Sequence, residues 1–315
     1  MKKLYTIITL VFLSLTLISC NSKYLYVEEK INVTTTTNII GDLVYQIGKE
    51  KVAVHNLMGS GVDPHGYVPR PSDYTALSKG DIIFTSGLNL EGKMGDVFAS
   101  YAENKPVNSI GKSLIDSPVG YRLIENESFG GNYDPHFWFD IPLYKEAANI
   151  VANILINYDL ENKEYYKTNL NNYLIELDNL YEQVIDLFNS LGNTPRILVS
   201  AHDAFSYFSL EYGFEVYALQ GLSTQDEISP SDIREVSEIV VNNNVKAIFP
   251  ETTLPIESIR ALKEAVYSEA KYEVVIGNNL YSDSMGNSED DNTYIKMYLK
   301  NVNSIVNALG GNNNE

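Results

Sequence analysis

The chain has 315 residues, 44% hydrophobic and 20% charged, with a formal net charge of −18. That length suits about two domains of ordinary size, with apolar material enough for two cores. The charge argues against nucleic acid as a partner, because phosphate must be met by clustered Lys and Arg. It suits a surface that collects cations, although solubility accounts for most of it.

In chain order, Met1-Lys2-Lys3 is a short basic region and an apolar run follows from Leu4 to Ile18. The run is shorter than the ~20 residues of a comfortable membrane span. It ends in Leu17-Ile18-Ser19-Cys20, which resembles the lipobox of bacterial lipoproteins. Residues 1–19 are therefore expected to be a lipoprotein signal peptide, Cys20 the lipidated residue, and 20–30 a tether to the membrane. Cys20 is the only cysteine, so a disulfide within the chain and thiolate metal ligands are both excluded. At ~0.8 kcal/mol per buried CH₂, two or more acyl chains would hold such a protein firmly.

Beyond the tether the pattern alternates. Ile31 to Thr37 is β-branched and predicts a strand, and Asn38 is placed as the cap of a helix to about Gly48. Val52 to Met58 predicts a second strand, Pro71 to about Lys79 a helix, and Asp81 to Thr85 a third strand. Such alternation predicts a parallel sheet with crossover helices. Two helical stretches follow, about 143–158 and 161–191. In the second, Leu170, Leu174, Leu177, Tyr181, Val184, Phe188 and Leu191 recur at spacings of three and four, forming one apolar face. About 31 residues at ~1.5 Å rise span ~46 Å, long enough to run along two halves.

The second half repeats the theme. Strands are predicted at Pro195–Ala201, Glu215–Leu219, Val245–Pro250 and Tyr272–Ile276. Helices are predicted at Asp203–Tyr212, from Ser229 to about Asn242, and at Tyr294–Leu309, with a disordered tail at 312–315. The fold class is α/β: two lobes, each a mainly parallel sheet with surrounding helices, joined by a long backbone helix. The boundaries expected are 31–160 for the first lobe, 161–191 for the connecting helix and 192–315 for the second lobe.

The chain has four histidines, and His65, His136 and His202 sit in turn-rich contexts just beyond predicted strands. Asp-Pro-His occurs twice, at 63–65 and 134–136, each time with an aromatic residue two positions on. Strand C-terminal ends are where open α/β sheets place ligand sites. Neutral imidazole is the commonest protein ligand for zinc-like ions. Pro stiffens the loop before each ring, and the preceding Asp can accept the far ring N–H and fix the tautomer. Asp283, near the end of the strand Val274–Ile276, is the best carboxylate to complete a site. His55 belongs to no motif and is read as structural; Trp138 and Tyr67 are read as core around the site.

These residues carry a resemblance. Asp-Pro-His-x-Tyr-x-Pro-x-Pro-x-Asp at 63–73, Asp-Pro-His-x-Trp-x-Asp at 134–140, Ser200-Ala201-His202-Asp203-Ala204-Phe205, Leu219-Gln220-Gly221-Leu222-Ser223-Thr224 and Leu280-Tyr281-Ser282-Asp283-Ser284-Met285-Gly286 all match one pattern. The chain resembles the TroA-like family of metal-binding lipoproteins that serve manganese and zinc ABC importers. The resemblance implies that His65, His136, His202 and Asp283 ligate one divalent ion, manganese or zinc, between two lobes. It places His65 and His136 on the first lobe, and His202 and Asp283 on the second. Glu251 matches a recurrent family glutamate expected to support a ligand. Many zinc members carry a His-rich loop before the second His motif, whereas Lys112 to Tyr133 contains no His. That tilts the resemblance toward manganese.

The expected function is capture of that ion outside the cytoplasm, on a lipid anchor, and delivery to a permease and its ATPase by a monomer with no enzymatic activity. A zinc-importer binding protein is the alternative. From other classes come a surface adhesin, a binder of iron chelates, and a hydrolytic zinc enzyme. Four protein ligands with no nearby general base speak against the last, since catalytic zinc usually keeps an open position for water.

Overall fold

The computed structural model describes residues 26–310 except 127, 128 and 130–132. The signal segment, Cys20, the start of the tether and the tail at 312–315 lie outside the described residues. Among the described residues, no helix is long and apolar enough to cross a membrane.

The first lobe is built on four parallel strands, β1 (Ile31–Thr37), β2 (Val52–Met58), β3 (Ile82–Thr85) and β4 (Val107–Ser109), in the order β2-β1-β3-β4. Both faces of β1 are covered, so its run of threonines is buried along with Val33. Helix α1 (Asn38–Gly48) leaves the end of β1, followed by α2 (Pro71–Lys79), α3 (Gly95–Ala102), α4 (Ile110–Ile115) and α5 (Ile141–Tyr158). The cap of α1 is Thr37, whose hydroxyl accepts from the Ile40 N–H, rather than Asn38. Asn38 is turned to a different use, described below.

The second lobe contains β5 (Ile197–His202), α7 (Ser206–Tyr212), β6 (Glu215–Gln220), α8 (Pro230–Asn242), β7 (Ala247–Ile248), α9 (Glu257–Ala270) and β8 (Val275–Ile276), numbered after the connecting helix α6 (Lys163–Asn189). Strands β5 and β6 pair in parallel, as do β7 and β8. The Phe249 N–H donates to the Val199 carbonyl at 2.8 Å and joins the two pairs. The resulting layout, β6-β5-β7-β8, repeats that of the first lobe. Strand β7 is shorter than predicted because Val245 already closes α8, its N–H donating to the Val240 carbonyl.

The connecting helix has 27 residues, about 40 Å at 1.5 Å per residue. Its buried residues are Tyr166, Tyr173, Leu177, Leu180, Val184 and Phe188. The stripe is thus rotated from the predicted one: Leu170, Leu174 and Tyr181 are only half-buried, at its flank. The last helix, α10 (Tyr294–Leu309), returns to the first lobe. The Tyr294 N–H donates to Asp42 of α1, the Tyr294 hydroxyl to the Trp138 carbonyl, and the Tyr298 hydroxyl to the Phe139 carbonyl.

Candidate metal centre

His202 is the last residue of β5, and Glu251 follows β7, the neighbouring strand. The pair therefore occupies the point where the second sheet's strand order reverses, the usual ligand position of an open α/β sheet. Glu251 is buried and uses both oxygens on His202: Oε1 accepts the backbone N–H at 2.8 Å and Oε2 lies 2.5 Å from Nδ1.

His136 reaches the same place by another route. It does not follow a strand, as the sequence suggested; it heads the short 3₁₀ turn Phe137–Phe139, after an isolated bridge between Glu125 and Tyr133. Asp134 Oδ1 accepts its backbone N–H at 2.9 Å and sits 2.7 Å from its Nδ1. Pro135 between them restricts the backbone, so Asp-Pro-His acts as a unit that aims the ring. Asp140, closing that motif, accepts from the Leu143 N–H at the head of α5 and binds the Arg122 guanidinium.

The first Asp-Pro-His differs. Asp63 Oδ1 accepts the His65 backbone N–H at 2.9 Å, but Oδ2 accepts the Thr224 hydroxyl of the second lobe at 2.6 Å. It holds the loop and a cross-lobe contact rather than the ring. Asp73, at the end of the motif, accepts the Arg70 N–H at the head of α2 and the Tyr67 hydroxyl, which makes Tyr67 a wall of the loop.

Asp283 follows β8 in a loop held largely by the first lobe. Trp138 Nε1–H donates to the Ser282 carbonyl at 2.9 Å, and the Gly61 N–H to Ser284 Oγ at 3.0 Å. Asn38 makes two bonds of 3.0 Å to the Met285 backbone, one in each direction. No local sequence pattern marks Asn38 for this, since the contact joins residues 247 positions apart.

Donor atoms of His65, His136, His202 and Asp283 all lie within 4.8 Å of one another, and all four residues are buried. Asp283 Oδ1 is 3.2 Å from His136 Nε2 and 3.9 Å from His65 Nε2, while Oδ2 is 3.4 Å from His202 Nε2. The Nε2 atoms of His136 and His202 are 3.4 Å apart. Four donors held about 2.0–2.1 Å from one tetrahedral centre are separated by about 3.3–3.4 Å, so the spacing fits a single small cation. Among the described residues, His65 Nε2 and both Asp283 oxygens have no hydrogen-bond partner. Buried polar atoms left so are costly. His55 is not part of this group; it lies on β2.

The electrostatics fit displacement of protons by a metal. Burial opposes charge on His136, but Asp134 and Asp283 outweigh it and push its pKa up to about 10. Burial likewise opposes charge on His202, and Glu251 and Asp283 raise its pKa. His65 has no carboxylate on its Nδ1 side, and burial outweighs the pull of Asp283 at 3.9 Å and drives its pKa down to about 3. Burial favours the neutral form of Asp283, yet the surrounding histidines hold it well below the ordinary carboxylate value.

The chain is similar to known metal-binding proteins. Residues 33–308 match the family described as ZnuA, zinc-uptake complex component A, periplasmic. The chain belongs to this family. It is 36% identical over 289 residues to the zinc-binding protein TroA of Treponema pallidum, covering 91% of this chain and 92% of that one. It is 35% identical over 283 residues to the manganese-binding lipoprotein MntA of Bacillus subtilis, covering 90% of each. The solved structure of the periplasmic zinc-binding protein TroA superposes with a TM-score of 0.84 over 89% of this chain and 99% of that chain. Fe(III)-bound YtgA of Chlamydia trachomatis, 27% identical, superposes with a TM-score of 0.81 over 91% of this chain and 100% of that one. Relatives of nearly equal similarity thus carry different metals in their names, and likeness alone does not select one.

Proposed function

We propose that this protein captures one divalent transition-metal ion outside the cytoplasm and delivers it to an ABC importer, a permease with its ATPase. His65, His136 and His202 bind the ion through Nε2, and Asp283 through its carboxylate. Asp134 and Glu251 hold the Nδ1 sides of two of these rings, which fixes their orientation. The observation that carries this reading is the convergence of four buried donor groups within 4.8 Å of one another, three of their atoms without any hydrogen-bond partner among the described residues. Cys20 anchors the mature protein to the membrane through lipid, and the protein acts as a monomer.

Manganese is the cargo favoured, on the absence of histidine from 112–133. Zinc binds more tightly than manganese to most fixed nitrogen and oxygen sites, so affinity measured on the isolated protein does not identify the ion transported. The test is uptake of radioactive manganese and zinc, side by side, in cells with and without the gene. Loss of manganese uptake alone is expected. Loss of zinc uptake alone reverses the choice of metal and keeps the mechanism. Loss of neither overturns the transport reading and favours the adhesin.

A further inference from the structure

A cavity of about 180 Å³ is lined by His65, Asn89, Gly92, Lys93 and Phe129 of the first lobe and by Ser223 and Gln225 of the second. His65, which lines it, carries at Nε2 one of the unpartnered atoms of the candidate site. Its two rims are built differently. On the first-lobe side, Gly87, Leu88 and Asn89 all have positive φ, at 82°, 52° and 64°. Glu91 pins this turn by accepting the N–H groups of Ser86 and Gly87 at 2.7 and 3.1 Å. On the second-lobe side, Ser223 to Gln225 lie in the irregular segment between β6 and α8.

Two side-chain bonds tie the second rim to the first. Lys93 Nζ donates to Gln225 Oε1 at 2.5 Å, and Thr224 Oγ1 donates to Asp63 Oδ2 at 2.6 Å. Gln225 also lies against the backbone of Gly66, where an added Cβ would come within 2.5 Å of its Nε2. A larger residue at position 66 would have to displace the end of the Gln225 side chain. Lys93 and Gln225 themselves line the cavity, and Thr224 stands between two lining residues, Ser223 and Gln225.

We propose that Lys93, Thr224 and Gln225 hold this passage closed and set the rate at which metal exchanges with the site. The inference rests on the metal-binding reading above. Lys93 and Gln225 make their bond at the exposed surface, so their substitution leaves the core intact. The closed state depends on the two bonds, and each net hydrogen bond contributes a factor of about five to such an equilibrium.

The test is release of manganese or zinc from the loaded protein into excess chelator, followed by stopped flow. Lys93→Met and Thr224→Val are each expected to speed release about fivefold, and the double variant roughly 25-fold if the bonds act independently. Capture should speed up alongside. Gln225→Glu turns the first contact into an ion pair and should slow release, with the slowing lost in a Lys93→Met background. That salt-sensitive gain is not produced by a misfolded chain. Wild-type protein that takes up one metal equivalent, with release unchanged in the double variant, overturns the passage alone. Wild-type protein that takes up no metal overturns the function proposed above.

Discussion

At the scale of the residue, the candidate site separates ring orientation from ring basicity. Glu251 touches His202 twice, at the backbone and at Nδ1. Glu251→Gln keeps the shape but exchanges a carboxylate for an amide, and metal affinity is expected to fall about 10- to 100-fold. Isothermal titration of the variant with zinc checks this; unchanged affinity would show that the carboxylate does not tune the ring. The pH dependence follows from His136. Its raised pKa, about 10, means that the metal-free ring is protonated at neutral pH. A metal must displace that proton. Affinity should therefore climb as pH rises from 7 to 9, and binding at pH 7 should release protons, seen as heats that differ between buffers of different ionisation enthalpy. The ordinary His pKa of about 6.5 would have put the whole change in the acid range. His65, pushed down to about 3, adds no competition at neutral pH.

At the scale of the element, the sequence was most legible where a local rule acts. Strand β1, helix α2 and helix α10 run over the residues predicted, because β-branched runs, Pro at a helix start and Gly310 at a helix end are local marks. Two of the four candidate ligands, His65 and His136, stood out for the same reason, each closing a short Asp-Pro-His unit, whereas His202 and Asp283 stood out by their places beyond predicted strands. Helix α9 was missed although Ile259, Leu262 and Val266 form its buried stripe; the spacing was there to read. Helices α3 and α4 and strand β4 were also missed, each eight residues or fewer. The Asn38 and Trp138 contacts to the Asp283 loop were not legible, because they join distant segments. In α6 the predicted face was displaced because its neighbours, not periodicity alone, choose which side is covered. Phe188 lies near the C-terminal end of that helix, with ring contacts to Phe208, Tyr212 and Phe214. Phe188→Ala should cost about 3–5 kcal/mol of stability, measurable by urea unfolding. These ring partners include none of the candidate ligands, so the folded variant is expected still to take up one metal equivalent.

At the scale of the whole molecule, the candidate site is shared between lobes. His65 and His136 lie on the first, His202 at the edge of the second sheet, and Asp283 in a loop that begins on the second lobe and is held by the first. An ion bound to all four therefore ties the lobes together. A ligand that binds only the folded form stabilises it by mass action, by about 2.7 kcal/mol at a hundredfold excess over Kd. Thermal unfolding with saturating zinc should show a higher Tm than with chelator. Coincident melting curves in the two conditions would argue against a site that bridges the lobes.

The return of α10 to the first lobe also bears on when this protein can fold. The bond from Tyr294 to Asp42 joins positions 252 residues apart, and Tyr298 reaches back to Phe139. Contacts of such separation form late, because the intervening chain must first be brought together. The first part of the molecule thus gains its covering helix only from the last segment to be synthesised. For the export led by the N-terminus that is expected from residues 1–19, that order would be useful. A polypeptide whose earliest lobe stays incomplete until its end has emerged remains threadable through a narrow channel, and reaches its compact form on the far side of the membrane.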